Sequence, residues 1–311
     1  MTARELRLVE KVVNRSVENK TFQAMEALIH NLNTMHSRAG SQVPFTSLNF
    51  GTDTTAEGRL VSRMFLRATW NGLGKGETAI FPISVFKVKE GVNYNAGDPN
   101  FDLFQLAIKV SAKRLFPNFV FLDAPFNLQH YKAGDYRTEA VAMGCRTRVM
   151  ASIFPESDGI VTGRGNLSFT TVNLVRIGIE HGVCTGARAT ADMAGFYGEL
   201  DRTLGLVVDQ LLERFALQCS KRRRNFPFML GQGIWFGSKE LGDDDDLREV
   251  LKHGTLSIGF IGLAECLVAL CGTHHGASDA AWALGKEIIG RMRAFCDRMC
   301  DVHQLNFSLL G

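Results

Sequence analysis

One cysteine and one asparagine stand in the setting that chemistry would need. Cys145 lies in the run Met143-Gly-Cys-Arg-Thr-Arg-Val149, and Asn166 follows 21 residues later, ending Gly163-Arg-Gly-Asn166. Gly144 lets the backbone turn sharply or approach a ligand beside the sulfur. Arg146 and Arg148 follow at strand spacing, so in an extended segment they face away from Cys145 and Thr147. That weakens the idea of an arginine-activated thiolate, although neighbouring cations still lower a thiol pKa. An asparagine amide can donate and accept toward a sugar hydroxyl without becoming an acid. The competing readings are ordinary ones. A cysteine is most often a small buried hydrophobe, and Asn166 can cap a local backbone group.

Elements must position these residues, and composition allows them. The chain has 311 residues, 45% hydrophobic, enough for one large domain or two small ones. A net charge of +3 argues for no nucleic-acid or membrane partner. No apolar run is long enough to span a bilayer. The charged start lacks the apolar stretch of a signal peptide, so a cytoplasmic location is expected. The seven cysteines are odd in number and read as reduced thiols rather than a disulfide framework.

Apolar spacing predicts a helix over 3–36. An alternating strand follows over 43–50, and then a helix over 54–73 with Thr54 as N-cap and Glu57 three positions on. Next come a strand over 80–89, a helix opened by Asp98-Pro99 and running to about 115, and a strand over 118–122. This order favours a parallel α/β arrangement. Strands are expected over 146–153 and 166–174, helices over 190–224, 246–271 and 277–302, and a last strand over 306–310. The basic run 221–224 and the acidic run 243–246 read as solvated helix ends that suit the helix dipole. Cys296 and Cys300 are four apart on one helical face, but without a second pair a zinc reading is weak. Packing is the simpler reading for them and for His274-His275.

Long strings carry a family resemblance. They include N-T-M-H-S-R-A-G-S-Q-V-P-F (33–45), N-F-G-T-D-T (49–54), G-L-G-K-G-E-T (72–78), F-K-V-K-E-G-V-N-Y (86–94) and S-A-K-R-L-F-P-N-F (111–119). Further along stand L-D-A-P-F-N (122–127), M-G-C-R-T-R-V (143–149), G-R-G-N-L-S-F-T (163–170), H-G-T-L-S-I-G-F-I-G-L-A-E (253–265), A-W-A-L-G-K-E-I (281–288) and L-N-F-S-L-L (305–310). In order and over nearly the whole chain, these resemble the anaerobic, class III ribonucleoside-triphosphate reductases.

The resemblance implies a ten-stranded α/β barrel of the glycyl-radical type, with a finger loop carrying a cysteine. Cys145 matches the cysteine that becomes a transient thiyl radical, and Asn166 matches a residue that binds the ribose. His36, Ser37 and Arg38 lie in a loop expected to face the substrate. The implied substrate is a ribonucleoside triphosphate, with ATP and dNTP effectors and formate as reductant. The implied radical is a glycyl radical made by an S-adenosylmethionine/iron–sulfur activating enzyme, and the implied assembly is a homodimer. A structural zinc and the radical glycine belong to a C-terminal region of the family that these residues do not match. Nor do they match its ATP-binding regulatory domain or the barrel strand with the second active-site cysteine. No metal site or cofactor is expected within residues 1–311, which read as the central part of the catalytic barrel. Two other readings stand beside this one: a split-gene subunit that needs a partner chain, and a degenerate nucleotide-binding or regulatory homologue. The chain alone is expected to be inactive. Ribonucleotide reduction by the purified chain after treatment with an activating enzyme would contradict that.

Overall fold

A computed structural model describes residues 2–36, 40–144 and 147–311. The chain forms two compact units, 1–148 and 149–311. Each contains one three-stranded, wholly parallel sheet. The α/β class and the parallel pairing agree with the sequence reading. Among the described residues there are six strands in two sheets, not a closed ten-stranded barrel. No helix among them is long and apolar enough to cross a membrane.

In the first unit, α1 (Ala3–Thr34) begins with a capping box. Thr2 Oγ1 accepts from Glu5 N–H, and Thr2 N–H donates to the Glu5 carboxylate. Its second half packs on α2 (Ala56–Asn71) through Ile29, Phe65 and Ala68, while Leu6, Val9, Val12 and Val13 in its first half are exposed. Thr55, not Thr54, caps α2: its Oγ1 accepts from Gly58 N–H, and Asp53 fixes Thr55 through both N–H and hydroxyl. Strands β1 (Ser47–Phe50), β2 (Ile83–Val88) and β3 (Asn118–Phe121) pair in that order. The middle strand β2 is buried at every position but Lys87, as a strand flanked on both sides and covered on both faces must be. Phe86 packs against Phe50, Phe104 and Phe119 at centroid distances of 5.4–6.1 Å. Helix α3 (Phe101–Arg114) closes this core, and a single turn, α4 (Pro125–Leu128), follows β3. Helix α3 starts later than Asp98-Pro99. The Asn100 amide is instead spent on the carbonyls of Gly51 and Asp53, which it holds at 3.0 and 2.8 Å.

The second unit contains β4 (Asn166–Asn173), α5 (Leu174–His181), α6 (Met193–Cys219), α7 (Arg248–Leu251), β5 (Thr255–Ile261), α8 (Leu263–Cys271), α9 (Asp279–His303) and β6 (Asn306–Leu310). Strand order is β4-β5-β6. Phe196, Leu200, Leu204, Val208, Leu211 and Phe215 form the buried stripe of α6 at helical spacing. They meet Leu256, Ile258 and Phe307 from the sheet and Ile288, Met292 and Cys296 from α9 in one core. Truncating one such fully buried leucine costs about 2–5 kcal/mol.

Three expectations need correction. The helix expected over 246–271 is a helical turn, a strand and a helix. Its middle, Thr255–Ile261, is central in the sheet and so almost continuously buried, which hides a strand's period. Of the strand expected over 146–153, the described residues 147–153 form none; Thr147 makes one antiparallel bridge to Met143, and no ladder follows it through 148–153. The basic and acidic runs are not helix ends facing solvent separately. Arg223 pairs with Asp243, Arg224 with Asp244 at 2.8 Å, and Arg222 bridges Asp246 through the backbone. The Arg224 pair is largely exposed, so its worth is at most about 1 kcal/mol.

Candidate functional site

The two sequence-predicted centres belong to different units, and each has its own local frame. Cys145 lies outside the described residues, as do Ser37, Arg38 and Arg146. Gly144, before Cys145, and Thr147, after Arg146, are described. Met143 N–H donates to Thr147 O at 2.7 Å, which brackets residues 144–146. Gly144 sits at φ +57°, a conformation that favours glycine, and a Cβ there would come within 2.9 Å of the exposed Phe45 ring, which would have to shift. Its N–H donates to Ser47 Oγ at 3.2 Å. Ala142 is held by its N–H and its C=O together, at 3.0 and 2.8 Å, by the side-chain amide of Asn49. Arg148 turns to α4, where its guanidinium bonds the Asn127 amide oxygen and stacks 4.7 Å from the Phe126 centroid. His36 is exposed just past the end of α1.

Asn166 opens β4 in the second unit. Its backbone pairs with Thr255, which pairs in turn with Asn306 at the start of β6. The Asn166 amide oxygen accepts from the Thr255 hydroxyl. Two residues on, Ser257 and Ser308 share a hydrogen bond of 2.8 Å. These polar residues alternate with Leu256, Ile258, Phe307 and Leu309, which enter the core below α6 and α9. One face of this sheet therefore carries a band of hydroxyl and amide groups. Thr255, Ser257 and Asn306 within it are buried at 6%, 1% and 5% exposure. The groups of this band are partnered within the protein, Asn166 with Thr255, Ser257 with Ser308, and Asn306 with neighbouring main chain.

Arg164 holds this row in place. It is 6% exposed, and its guanidinium donates to five carbonyls: His253, Met150, Ser157, Ile160 and Ala151, at 2.8–3.1 Å. Burial draws its pKa down to about 10, so it remains charged at neutral pH. Gly163, at φ +70°, lies so close to Ile234 and Phe236 that a Cβ would meet their backbone at 2.8 and 2.9 Å. Asn306 donates to the carbonyls of Lys252 and Gly254 and accepts from Ile153 N–H. Sequence reasoning treated Gly163-Arg-Gly-Asn166 as a turn leading into a strand. It missed Arg164 as the anchor, and it missed Ser47, Asn49, Thr255 and Asn306. The alternation of N-F-S and T-L-S with apolar residues was the available signal.

Cys219, Cys266, Cys296 and Cys300 behave as packing groups, while Cys184 and Cys271 are exposed. Burial pushes Cys266 and Cys296 up to about 12 and raises Cys219 and Cys300. Among the described residues no three His, Cys, Asp or Glu side chains gather to hold a metal.

Comparison with known proteins gives a consistent result. The family described as anaerobic ribonucleoside-triphosphate reductase matches residues 7–311. The anaerobic ribonucleoside-triphosphate reductase of Salmonella typhimurium is 33% identical over 296 residues, covering 94% of this chain and 39% of its own length. That of Escherichia coli is 32% identical over 304 residues, covering 96% and 40%. The enzyme of the same name from bacteriophage T4 is 31% identical over 298 residues, covering 94% and 45%. The chain thus spans well under half the length of each of these relatives.

His253 gives this unit a pH dependence. It is 5% exposed, its Nδ1 lies 2.9 Å from Ser157 Oγ, and the rings of Phe154 and Phe236 meet it edge-on. Burial lowers its pKa below the usual 6.5, only partly offset by Glu156 at 3.8 Å. The unfolded chain therefore takes up this proton first as pH falls. Stability is fully present above pH 6.5 and is lost as pH falls through the lowered folded value. The urea midpoint is expected to drop between pH 7 and pH 5 in the unaltered chain, and His253→Gln should flatten that slope. Equal slopes in the two proteins would refute the assignment.

Proposed function

The chain belongs to the anaerobic ribonucleoside-triphosphate reductase family, and from that premise we propose that it contributes the cysteine and the ribose-binding asparagine to reduction of a ribonucleoside triphosphate. Each three-stranded sheet is read as part of a ten-stranded α/β barrel of the glycyl-radical type. The segment 139–148 is read as its cysteine-bearing finger loop. The observation that supports this reading is the family match over residues 7–311, a span within which Cys145 and Asn166 lie.

The chemistry asked of this chain is hydrogen-atom transfer. A glycyl radical, generated by an S-adenosylmethionine/iron–sulfur activating enzyme, would supply the oxidising equivalent, and the Cys145 thiol would give up its hydrogen atom to it. The Cys145 sulfur takes the 3′-hydrogen of the ribose and returns a hydrogen atom to C3′ at the end of the turnover. In between, the 2′-hydroxyl leaves with a proton as water, and formate, oxidised to carbon dioxide, supplies the two electrons. A neutral thiol is the form that gives up a hydrogen atom, so no activating base is needed. Asn166 holds a ribose hydroxyl through a group that stays uncharged throughout, and the adjacent Thr255 hydroxyl fixes the amide's orientation. ATP and dNTP effectors, a homodimeric assembly and a cytoplasmic location belong to the same reading.

Binding of substrate tests it without requiring the radical. A ribonucleoside triphosphate titrated into the chain by calorimetry is expected to bind, and Asn166→Ala is expected to weaken that binding about tenfold, the worth of one to two lost hydrogen bonds. Absence of binding, or unchanged affinity in Asn166→Ala, would defeat the proposal.

A further inference from the structure

We propose that Ser47, Asn49 and the Lys87–Glu139 pair form a clamp that sets the position of the segment bearing Cys145. They are positioning residues that act through the main chain. The functional meaning of the clamp rests on the reading of Cys145 as the reacting sulfur.

The clamp follows from the alternation of β1. Leu48 and Phe50 turn into the cores shared with α2 and α3, which sends Ser47 and Asn49 to the opposite face. On that face lies the chain from Glu139 to Gly144, running against the direction of β1. Asn49 meets Ala142, Ser47 meets Gly144, and Lys87 on β2 meets Glu139. Asn49 does for Ala142 what a neighbouring strand would do, satisfying N–H and C=O together. With the Met143–Thr147 bond, the three N–H groups immediately preceding Cys145 all have fixed partners.

Lys87 and Glu139 are largely buried, with side chains 12% and 18% exposed, and Glu139 also accepts from the Thr52 hydroxyl. The bed beneath them is rigid. Buried Asn93 ties the carbonyls of Gly51 and Lys87 together at 3.0 and 2.8 Å and accepts from Lys89 N–H. Ala140 and Ala142 are each 2% exposed, so the segment is pressed onto this face. Ordering a loop residue costs about 1–2 kcal/mol, and this segment has one backbone bridge and no ladder to offset that cost. The side-chain contacts from β1 and β2 supply what a ladder would. Hydrogen-atom transfer tolerates little displacement of the reacting sulfur, which gives such a clamp a function beyond stability.

A nitroxide on Cys145 tests the clamp directly. The chain carries Cys184→Ser and Cys271→Ser, since both of those thiols are exposed, and labelling at Cys145 is confirmed by peptide mass spectrometry. Asn49→Ala and Lys87→Met are expected to shorten the label's rotational correlation time about threefold or more, as a locally unfastened segment would. Lys87→Arg keeps the pair and should leave the label at its starting mobility. Amide protection in β2 and β5 should be unchanged in all three. Should Asn49→Ala fail to fold, Ser47→Ala removes only the Gly144 contact and should still mobilise the label. Unchanged mobility in folded Asn49→Ala and Lys87→Met, or loss of order in Lys87→Arg equal to that in Lys87→Met, would overturn the clamp. The label reports geometry alone. Its failure would leave the nucleotide proposal standing, and failure of triphosphate binding would leave the clamp standing as a loop anchor.

Discussion

Every buried backbone N–H and C=O must find a partner, and in this protein that demand falls hardest between the strands. The sheets are short: four to eight residues per strand, three strands each. The connections are long and partly buried, so the ladders cannot serve them. Asparagine and arginine side chains do so instead. Asn93 and Asn100 gather the carbonyls that follow β1, Arg114 binds those of Trp70, Asn71 and Gly76 after α2, and Arg164 binds five around the entry to β4. A buried guanidinium is costly to desolvate. It is retained here because five donors in a rigid plane can satisfy several carbonyls at once. The same device acts beside both proposed site residues: Asn49 fixes Ala142 just ahead of Cys145, and Asn306 fixes the loop ends beside the Asn166 row.

Parallel pairing explains why polar groups can gather on one face. In each unit the helices that connect the strands cover the sheet and take the apolar residues of the alternation. The remaining face of the second sheet carries Asn166, Thr255, Ser257, Asn306 and Ser308. Left against hydrocarbon these groups would be expensive, yet Asn166 bonds Thr255 and Ser257 bonds Ser308 across the strands, and Asn306 bonds neighbouring main chain. They are neutral at every working pH. That is the environment radical chemistry favours: hydroxyls can be held, and no carboxylate or amine stands in the row to offer a stray proton.

Much of this was legible in the sequence, and the failures have physical causes. Helices α1, α2, α6 and α9 announce themselves by apolar spacing, and β2, β3 and β6 by short apolar runs. Strand β5 was absorbed into a helix because a central strand, buried on both faces, loses its period of two; Thr255, Ile258 and Gly259 were the quieter signal. The expected strand over 146–153 had Val149 and Ile153 in its favour, but its carbonyls at Met150 and Ala151 go to Arg164 rather than to a neighbouring strand. The charged runs looked like separate helix ends because their mutual pairing is a contact across some 20 residues of chain. Asn166 was singled out by family likeness. Its partner Thr255, 89 positions further on, and Asn306, which pairs with Thr255 in turn, become visible only through strand register.

The central claim is that the sulfur of Cys145 exchanges a hydrogen atom with the ribose. It is tested most directly with a ribonucleoside triphosphate carrying tritium at C3′, incubated anaerobically with the chain and a polypeptide bearing an activated radical glycine. A thiol that has taken the label can exchange it with solvent, so release of tritium into water is predicted, and Cys145→Ala should abolish it. Release that continues undiminished in Cys145→Ala would contradict the account.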